Sequence, residues 1–403
     1  MTVSSTRRLG LYLRSKPSNG GIFQYGLSML RAVAALKPDF EPVVAYTQLE
    51  IREFVQTYDL EAHYIGRSTK FENALGLANS VMVAAGLPVA VSQAVGDRAD
   101  PLARRLHRLN CGAWLFPAGD PIVYGSTLRS AAAIHDLMHR YEPRFREVGR
   151  PAIRWRREFH YRALCEAAER IVVESPLGAR HVRESYCVPE SRITVIPYAA
   201  PDYIQQQSAV VPIDLPALPP RYLYYPAQFW PHKNHLNLAR AMRLVADAHV
   251  HGMVVLSGGD AGARRAFRQA AETLAVTDRF IELGYVPNEW MPWLYRRSTG
   301  LIYPTFFGPT NIPPLEALFC ETPMAVSDNY GMREQVHDAS LYFDPNNPRS
   351  IADAMITLLT RPDVCDDLVM RGRALATTYY SKTFATNIRS LANQMFAPDT
   401  SSA

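Results

Sequence analysis

The sequence predicts an α/β fold built as two parallel-sheet domains. The chain has 403 residues, which is more than one hydrophobic core ordinarily serves. Short β-like runs alternate with helical patterns in both halves, as in parallel sheets covered by helices. Residues 205–220, between the halves, hold glutamines and four prolines without a helical period, which is typical of an interdomain linker.

The first half opens with a β-strand, a turn and a helix. These elements are the strand Leu9–Leu13, the glycine turn at residues 18–21 and the amphipathic helix Phe23–Leu36. The other strands expected in this half are Glu41–Tyr46, Gly112–Phe116, Ala131–His135, Ile171–Glu174 and Ile193–Pro197. They predict a first domain over residues 1–205, followed by a linker at 206–220.

The second half repeats the alternation directly after the linker. Its expected strands are Tyr222–Pro226, Met253–Ser257, Phe280–Leu283, Gly300–Pro304 and Met324–Ser327. Each is followed by a turn and a helical segment, which predicts a second domain over residues 221–376. The prediction is therefore two Rossmann-like domains facing each other across a cleft. Ligands of such sheets bind at the carboxyl ends of the strands, so the loops there hold the candidate site residues.

Composition limits the classes of protein to consider. Hydrophobic residues make up 48% and charged residues 20% of the chain, as in ordinary globular enzymes. The five cysteines are odd in number and lack CxxC spacing, which disfavours a disulfide scaffold or a zinc ribbon. The most apolar run, Val81–Val91, contains Gly86 and Pro88 and is far shorter than the roughly 20 residues of a membrane helix. We expect a cytoplasmic protein, with no signal peptide and no nucleic-acid partner.

Two loops of the first half are candidates for ligand contact. Gly20 and Gly21 precede a helix, where a close backbone approach and free N–H groups suit an anion; an ordinary tight turn explains them equally well. His135 and Asp136 follow a strand, so the imidazole can face a ligand, although such a histidine more often has a structural role. His135 and His139 have the i, i+4 spacing of metal ligands, but no third ligand accompanies them.

Two loops of the second half give stronger signals. Tyr225–Asn234 brings His232 and Lys233 to the mouth of the next helix. A lysine there opposes the helix dipole, so a bound polyanion explains it better than solvation does. Tyr303–Leu318 is rich in glycine and proline and leads into a helix. Glu316 is expected in the first turn of that helix, directed towards the cleft, with compensation of the helix dipole as the alternative explanation.

At these two loops the sequence resembles the family 4 glycosyltransferases of the GT-B fold, group 1 type. The resemblance covers nearly the whole chain, because further elements follow in the same order. They are Gly20-Gly21, His135-Asp136, Val173-Glu174-Ser175, Ser257-Gly258-Gly259-Asp260, Leu283-Gly284-Tyr285-Val286 and Pro313–Ala317. The resemblance implies a retaining enzyme with a C-terminal helix, residues 377–397, that crosses back to the first domain.

The resemblance also implies roles for single residues. Lys233 would bind the donor diphosphate, and Glu316 would hold the ribose hydroxyls as the second glutamate of the family's E-x7-E signature. His135 would contact the transferred sugar and completes the predicted catalytic set. The predicted donor-binding residues are these glycines, polar side chains and base-reading backbone positions: Gly20, Gly21, Gln228, His232, Lys233, Gly259, Tyr285, Val286, Asn311, Ile312 and Glu316.

The chain departs from the family pattern at two positions. The first glutamate of E-x7-E falls at Gly308, and the usual arginine of the phosphate loop falls at Gln228. Asn311, or a backbone N–H of the loop at residues 309–312, is a candidate to contact the sugar instead. Arg264 or Arg265 is a candidate to supply the missing positive charge.

The resemblance predicts transfer of a hexosyl or deoxyhexosyl unit, with mannose or rhamnose as the leading sugars, from a nucleotide diphosphate to a glycan or a lipid-linked acceptor. The sequence contains no Asp-x-Asp triplet, so we expect no metal and no cofactor. Three alternatives remain: a sugar-nucleotide epimerase, a phosphorylase and a non-catalytic nucleotide-sugar-binding subunit. A dinucleotide dehydrogenase is disfavoured, because no GxGxxG follows either leading strand.

A basic segment predicts a peripheral membrane contact. Arg150, Arg154 and Arg157 recur at helical spacing, with further arginines nearby and with Trp155 and Phe159 interleaved among them all. Basic and aromatic residues on one helix suit the inner, anionic surface of a bilayer. The alternative is a solvated helix whose two aromatic side chains turn into the core. The net charge of +5 is too small to decide between them.

Overall fold

The computed structural model describes residues 7–17, 20–66, 70–206, 211–212 and 215–397. Parts of the expected glycine turn (residues 18 and 19) and of the linker (207–210 and 213–214) lie outside the described residues. The strands are β1 Arg7–Leu13, β2 Phe40–Tyr46, β3 Glu61–Tyr64, β4 Ala113–Phe116, β5 Ser130–Ala133, β6 Arg170–Val173, β7 Ile193–Val195, β8 Tyr222–Pro226, β9 Met253–Ser257, β10 Phe280–Glu282, β11 Gly300–Tyr303, β12 Met324–Ser327 and β13 Leu341–Phe343. The α-helices are α1 Gly21–Ala34, α2 Arg52–Gln56, α3 Lys70–Ala84, α4 Val89–Ala99, α5 Pro101–Arg108, α6 Met138–Tyr141, α7 Arg146–Gly149, α8 Pro151–Ala167, α9 Pro176–Tyr186, α10 Asp202–Gln205, α11 His235–Asp247, α12 Arg264–Thr273, α13 Met291–Arg297, α14 Ile312–Phe319, α15 Met332–Val336, α16 Pro348–Thr360, α17 Pro362–Ala376 and α18 Ser381–Met395.

The chain forms two compact units. The described residues within 1–139, 151–199 and 381–403 make up the first unit, and those within 140–150 and 200–380 make up the second. Each unit contains one sheet in which every strand pairing is parallel. The predicted α/β class with two parallel sheets is confirmed.

The first unit has a seven-stranded sheet in the order β3-β2-β1-β4-β5-β6-β7. Helix α1 packs beside β1 because its apolar residues recur on one side, where Phe23 and Met29 are buried. Helix α18 packs against α1, and its Phe384 and Ile388 belong to the same core. The last helix of the chain thus completes the core that the first strand begins.

The second unit has a six-stranded sheet in the order β10-β9-β8-β11-β12-β13. In each sheet the strand order reverses once, between β1 and β4 in the first unit and between β8 and β11 in the second. The crevice beyond the carboxyl ends of the strands at such a reversal is where open α/β sheets bind ligands. The loops after β8 and β11 are therefore the structural candidates for a site in the second unit.

The unit boundaries differ from the sequence prediction in three places. One is near the C-terminal helix, where residues 377–380, predicted to belong to that helix, lie in the second unit. Residues 140–150 belong to the second unit, although the prediction assigned them to a first domain of residues 1–205. They group there because the Phe145 ring lies 5.5 Å from the Phe306 ring and Glu147 binds His232. The first domain also ends earlier, at residue 199, because Ile204 of α10 is buried in the second unit.

All predicted strands are present, and two further strands were missed. Strand β3 is mostly exposed and has the sequence EAHY, so no apolar run marks it. Strand β13 is only three residues long. Both lie at the edge of a sheet. Strand β3 lacks the apolar pattern of a buried parallel strand, and β13 is too short to show one.

The structure corrects the arginine stripe that the sequence predicted on one helix. Arg150 precedes α8, and Arg157 turns inward, where its Nη2 donates to Asp136 Oδ1 at 2.6 Å. Trp155 is 65% exposed and packs edge-on against Phe159, so it is not turned into the core. The residues that α8 exposes are Pro151, Ala152, Arg154, Trp155, Arg156, Arg162 and Glu166. No helix of the described chain is both long enough and apolar enough to cross a membrane.

Candidate active site

The loops after β8 and β11 lie side by side in the second unit. The Phe306 N–H donates to the His232 carbonyl at 2.8 Å. The Asn234 side-chain amide donates to the Pro304 carbonyl at 2.9 Å and to the Pro345 carbonyl at 2.8 Å. These bonds fix the loop that carries Lys233 against the loop that carries Asn311.

Lys233 lies just before the N-terminus of α11, as the sequence predicts. It ends a short 3-10 turn, and Asn234 then takes a left-handed conformation with φ 62° that starts the helix. The first turn of α11 has no acidic residue. Lys233 Nζ donates to the Tyr303 hydroxyl at 2.9 Å and to Asn311 Oδ1 at 3.3 Å. A fixed cation and the free N–H groups of a helix start thus occupy one place, which suits a bound anion.

Gly308 lies at one of the two positions where the sequence departs from the family pattern, and Asn311 is a candidate to contact the sugar in its place. A Cβ on Gly308, which has φ +153°, would lie 2.3 Å from Asn311 Nδ2. The Asn311 side chain is buried, and its Oδ1 accepts from the Tyr303 hydroxyl at 3.0 Å. Asn311 therefore fills the space of the missing side chain and lies within hydrogen-bonding distance of Lys233.

Glu316 is placed differently from the expectation. It lies in the second turn of α14, because Asn311 is the N-cap and Ile312 the first helical residue. Its side chain is buried, and Oε2 accepts from the Tyr295 hydroxyl at 2.6 Å while Oε1 accepts from the Tyr203 hydroxyl. Burial raises the pKa of Glu316, and the two tyrosine hydrogen bonds only partly oppose that rise. Compensation of the helix dipole in the first turn is no longer an explanation for this residue.

The two tyrosines that bind Glu316 were not found from the sequence. Tyr203 belongs to α10, which the prediction placed in the first domain, and Tyr295 belongs to α13. They are separated from Glu316 by 113 and 21 residues. Nothing in the sequence around Tyr203 indicated a contact with Glu316. The contact arises only because the fold brings α10 next to α14.

The turn after β9 holds the residues proposed to compensate for Gln228. Gln228 Oε1 accepts from the Trp230 indole N–H at 2.9 Å. Arg264 Nη2 donates to the Gly258 carbonyl at 2.9 Å, and its guanidinium lies 4.8 Å from the centre of the Phe229 ring. A Cβ on Gly259 would meet no atom within 4 Å, so the space beside this turn is open. Arg264 is therefore next to the turn, whereas Arg265 is exposed.

The loop after β10 holds the predicted base-reading backbone. Tyr285 is 70% exposed and Val286 is buried. The preceding Gly284 carbonyl accepts from the Gly258 N–H at 2.7 Å, which ties this loop to the turn after β9. Ile312, the remaining predicted backbone position, is the first residue of α14.

His135 in the first unit has protein partners at both ring nitrogens. Nε2 lies 2.8 Å from the Pro117 carbonyl oxygen, and Nδ1 lies 2.6 Å from Glu174 Oε1. Burial by itself lowers the pKa of His135, but the Glu174 carboxylate and the Pro117 carbonyl outweigh it and raise the pKa. Both partners are acceptors, so the protonated ring donates to each. The expectation of a ring nitrogen available to a ligand is not met.

The glycine loop of the first unit has the conformation that its sequence indicates. Gly20 takes φ 57° and ψ −118°, which an L side chain rarely adopts, and precedes α1. No acidic residue lies in the first turn of α1, and a Cβ on Gly20 would meet no atom within 4 Å. Gly21 is the first helical residue. Backbone N–H groups are thus accessible here at the start of a helix.

Residues 140–150 add a carboxylate that the sequence did not reveal. Glu147 Oε1 accepts from His232 Nδ1 at 2.9 Å and from the His232 backbone N–H at 3.2 Å. The Tyr330 hydroxyl donates to Glu142 Oε1 at 2.7 Å. Burial raises the pKa of Glu147, but the hydrogen bonds from His232 outweigh it and hold the pKa below its ordinary value. This segment thus contacts the loops after β8 and β12, and through Phe145 the loop after β11.

With this geometry in place, comparison with known proteins identifies the second unit. Residues 214–375 match the family model described as glycosyl transferases group 1. These residues form a group 1 glycosyltransferase domain. The predicted resemblance is thereby confirmed at the level of the group.

Two curated relatives carry related names. The chain is 26% identical over 256 residues to the O-antigen chain mannosyltransferase B of Escherichia coli, covering 62% of this chain and 66% of that protein. It is 27% identical over 134 residues to the O-antigen chain mannosyltransferase RfbU of Salmonella typhimurium, covering 33% of this chain and 37% of that protein. The matches thus span less than two thirds of the length of each relative.

The fold of the whole chain also has solved counterparts. The structure of WaaG, a glycosyltransferase involved in lipopolysaccharide biosynthesis, matches with a TM-score of 0.67 at 13% identity. The match covers 97% of this chain and 100% of that one. At this identity the likeness concerns the fold alone, and it agrees with the predicted GT-B architecture.

Proposed function

We propose that the protein is a retaining, metal-independent glycosyltransferase of family 4. It would move a hexosyl or deoxyhexosyl unit from a nucleotide diphosphate sugar to a glycan or a lipid-linked acceptor in polysaccharide synthesis. The observation that carries this proposal is Lys233, held before α11 by Tyr303 and Asn311 at the reversal of strand order. The group 1 domain supports the same chemistry.

The chemical task is to stabilise a departing nucleotide diphosphate while positive charge develops on the sugar. Lys233 and the N–H groups at the start of α11 would hold the diphosphate by fixed electrostatics, without a metal and without a cofactor. Because Lys233 is already fixed by neutral oxygen atoms of Tyr303 and Asn311, little reorganisation accompanies bond cleavage. The acceptor would attack on the face that the leaving group vacates, so configuration is retained.

Other donor contacts follow from the same surroundings. Each oxygen of a carboxylate has two lone pairs, so Glu316 can accept from ribose hydroxyls besides Tyr203 and Tyr295. The open turn at Gly259 and the backbone at 285–286 would receive the rest of the nucleotide. Arg264 beside Gly258 would supply the positive charge that Gln228 lacks. His135, with both nitrogens engaged, would orient the first-unit loop after β4 rather than donate to the sugar.

Mannose is the leading donor sugar, because the two relatives described above are named mannosyltransferases. Rhamnose is the second candidate. We further propose that the protein works in the cytoplasm at the inner face of the membrane, where a lipid-linked acceptor would be found.

The decisive experiment measures donor cleavage and transfer over a panel of nucleotide sugars that includes GDP-mannose and dTDP-rhamnose. Lys233→Ala should lower turnover about a hundredfold or more and weaken donor binding by calorimetry, because one preorganised positive charge is lost. Lys382→Ala removes an exposed lysine of α18 and is the matched control. Unchanged donor affinity in Lys233→Ala would refute the assignment.

One observation favours a second candidate, a nucleotide-sugar-binding subunit without catalysis. Position 308 has no carboxylate, and Asn311 fills its space. Tight donor binding with no cleavage and no transfer to any acceptor would support this alternative. A free sugar phosphate or an epimerised donor as product would instead indicate a phosphorylase or an epimerase.

A further inference from the structure

Helices α3 and α4 of the first unit contain a long stretch without charge. Residues 74–96, ALGLANSVMVAAGLPVAVSQAVG, include no acidic or basic side chain. The stretch forms most of α3 and α4, which are joined by a four-residue connection at 85–88 and contact each other. Surface helices of globular proteins ordinarily carry charged residues on their outer side.

The inner side of this helix pair consists largely of small and polar residues, with Val83 also buried there. Asn79, Ser80 and Ser92 are buried, and Ser92 Oγ donates to the Tyr124 carbonyl at 2.9 Å. Gly76 and Gly96 pack so closely that a Cβ on Gly96 would lie 1.7 Å from the Gly125 carbonyl oxygen, and one on Gly76 would lie 2.9 Å from Pro121 Cβ. The pair is thus held to the unit by close backbone contact and hydrogen bonds.

The outer side is apolar. Its large side chains are 40% to 51% exposed and recur at i, i+4 spacing; they are Leu77 and Val81 of α3, Leu87 of the connection, and Val91 and Val95 of α4. Ala78, Ala85, Ala90 and Ala94 are also exposed. The usual arrangement of an amphipathic helix is therefore largely reversed, because most of the buried residues are small or polar and the exposed large residues are apolar. An exposed, contiguous apolar surface of this kind marks an interaction site.

The neighbours of the apolar face indicate what it contacts. Helix α8, which packs against α3, exposes Arg154, Trp155, Arg156 and Arg162 together with one acidic residue, Glu166. Helix α5, which packs against α4, exposes Arg104 and Arg108. The acidic residue at the end of α4, Asp97, accepts from His107 Nε2 at 2.9 Å and from the Thr127 hydroxyl. An apolar centre bordered by arginine and tryptophan is complementary to acyl chains bordered by anionic headgroups.

We propose that the outer face of α3 and α4 inserts into the interfacial layer of an anionic lipid bilayer, with the arginines of α5 and α8 on the headgroups. Both helices, of 15 and 11 residues, are too short to span a bilayer and suit a position within one leaflet. A second copy of the chain is a poorer partner, since pairing two such faces would bring the bordering arginines together. The surface lies on the first unit and does not depend on the donor chemistry proposed above.

Co-sedimentation with vesicles tests the proposal on the full-length protein. The wild type should bind vesicles that contain phosphatidylglycerol and bind those of phosphatidylcholine alone at least about tenfold less. Val91→Glu/Val95→Glu should reduce binding to the anionic vesicles about tenfold or more, because two charges would enter the apolar layer. Arg154→Glu/Arg156→Glu should weaken binding and reduce its salt dependence. Met370→Glu changes an exposed apolar residue of the second unit and is the matched control.

Several outcomes would overturn the proposal. They are no binding of the wild type to anionic vesicles, equal binding to both kinds of vesicle, and full binding by Val91→Glu/Val95→Glu. Light scattering that shows a dimer converted to a monomer by that variant, with vesicle binding unchanged, would assign the face to a second copy. Donor binding, measured on the same samples, shows whether each variant is folded. That measurement is independent of vesicle binding.

Discussion

At the scale of single residues, the Asn311 amide occupies the volume that a side chain at position 308 would need. A Cβ on Gly308 would lie 2.3 Å from Asn311 Nδ2, so a side chain at position 308 requires the Asn311 amide to move. The family that the sequence resembles has a glutamate at this position. The chain thus shows an exchange, in which a neutral amide takes the place of a carboxylate beside Lys233.

This exchange predicts coupled effects on stability. Gly308→Glu should destabilise the protein by about 1–3 kcal/mol, because it overpacks the buried loop. Adding Asn311→Gly should recover part of that loss, since it opens the required space. Chemical denaturation of the two single variants and the double variant measures the coupling free energy. Gly259→Glu, placed in open space, is the control and should change stability little. Strict additivity of the two single effects would contradict the exchange.

A second prediction concerns Glu316. Its pKa is raised in the folded protein, chiefly by burial, so the unfolded chain loses this proton at lower pH than the folded one. Ionisation therefore costs stability as pH rises above the ordinary carboxyl range. Glu316→Gln should raise the thermal midpoint of the donor-free protein at neutral pH, and the gain should shrink in acid.

The same variant should weaken donor binding by about 1.5–3 kcal/mol, because the ribose hydroxyls lose a charged acceptor. Tyr203→Phe, which retains the carboxylate, should have the smaller effect on binding. Normal donor affinity together with lost turnover would instead mean that Glu316 acts on the sugar.

At the scale of structural elements, residues 140–150 contact the loops after three strands of the second sheet. The Glu147–His232 hydrogen bond joins this segment to the residue next to Lys233. A substitution in residues 140–150 can therefore alter the position of Lys233 without changing any residue proposed to contact the donor.

Glu147→Gln tests that link. The pKa of Glu147 is lowered in the folded protein, so its contribution to stability is present above the ordinary carboxyl pKa and is lost as pH falls through the lowered value. We expect a loss of about 1 kcal/mol at neutral pH, together with weaker donor binding. The difference from wild type should vanish in acid. Glu190→Gln, at a carboxylate that is 88% exposed, is the control. A stability loss that persists below the lowered pKa would rule out the charged hydrogen bond as its source.

The elements also show where sequence reasoning succeeds and where it stops. Strands with buried apolar runs, such as β8 and β9, were predicted with their bounds, because burial on both faces leaves a clear pattern. Strand β3 was missed because an exposed edge strand has no buried apolar pattern. The position of α10 was missed because a helix of four residues is too short to show a helical pattern. Lys233 was located by its place before a helix. Glu147 was not, because 85 residues separate it from His232.

At the scale of the whole molecule, the expected chemistry requires no metal. Transfer should survive EDTA, because the sequence contains no Asp-x-Asp triplet to hold a metal on the diphosphate. Activity measured after chelation and gel filtration should stay within about twofold of that of the untreated enzyme. Losing a catalytic positive charge would lower activity about a hundredfold or more. Loss of activity that Mg²⁺ or Mn²⁺ restores would show that a metal site exists.

The path of the chain through the two units has a consequence for biosynthesis. The chain changes unit after residues 139, 150, 199 and 380. A ribosome makes all seven strands of the first sheet before those of the second, yet the helix that supplies Phe384 and Ile388 to the first core follows the whole second sheet. The core of the first unit therefore cannot be completed until the second unit has been synthesised. A nascent chain that has reached residue 380 still exposes part of the apolar core of the first unit.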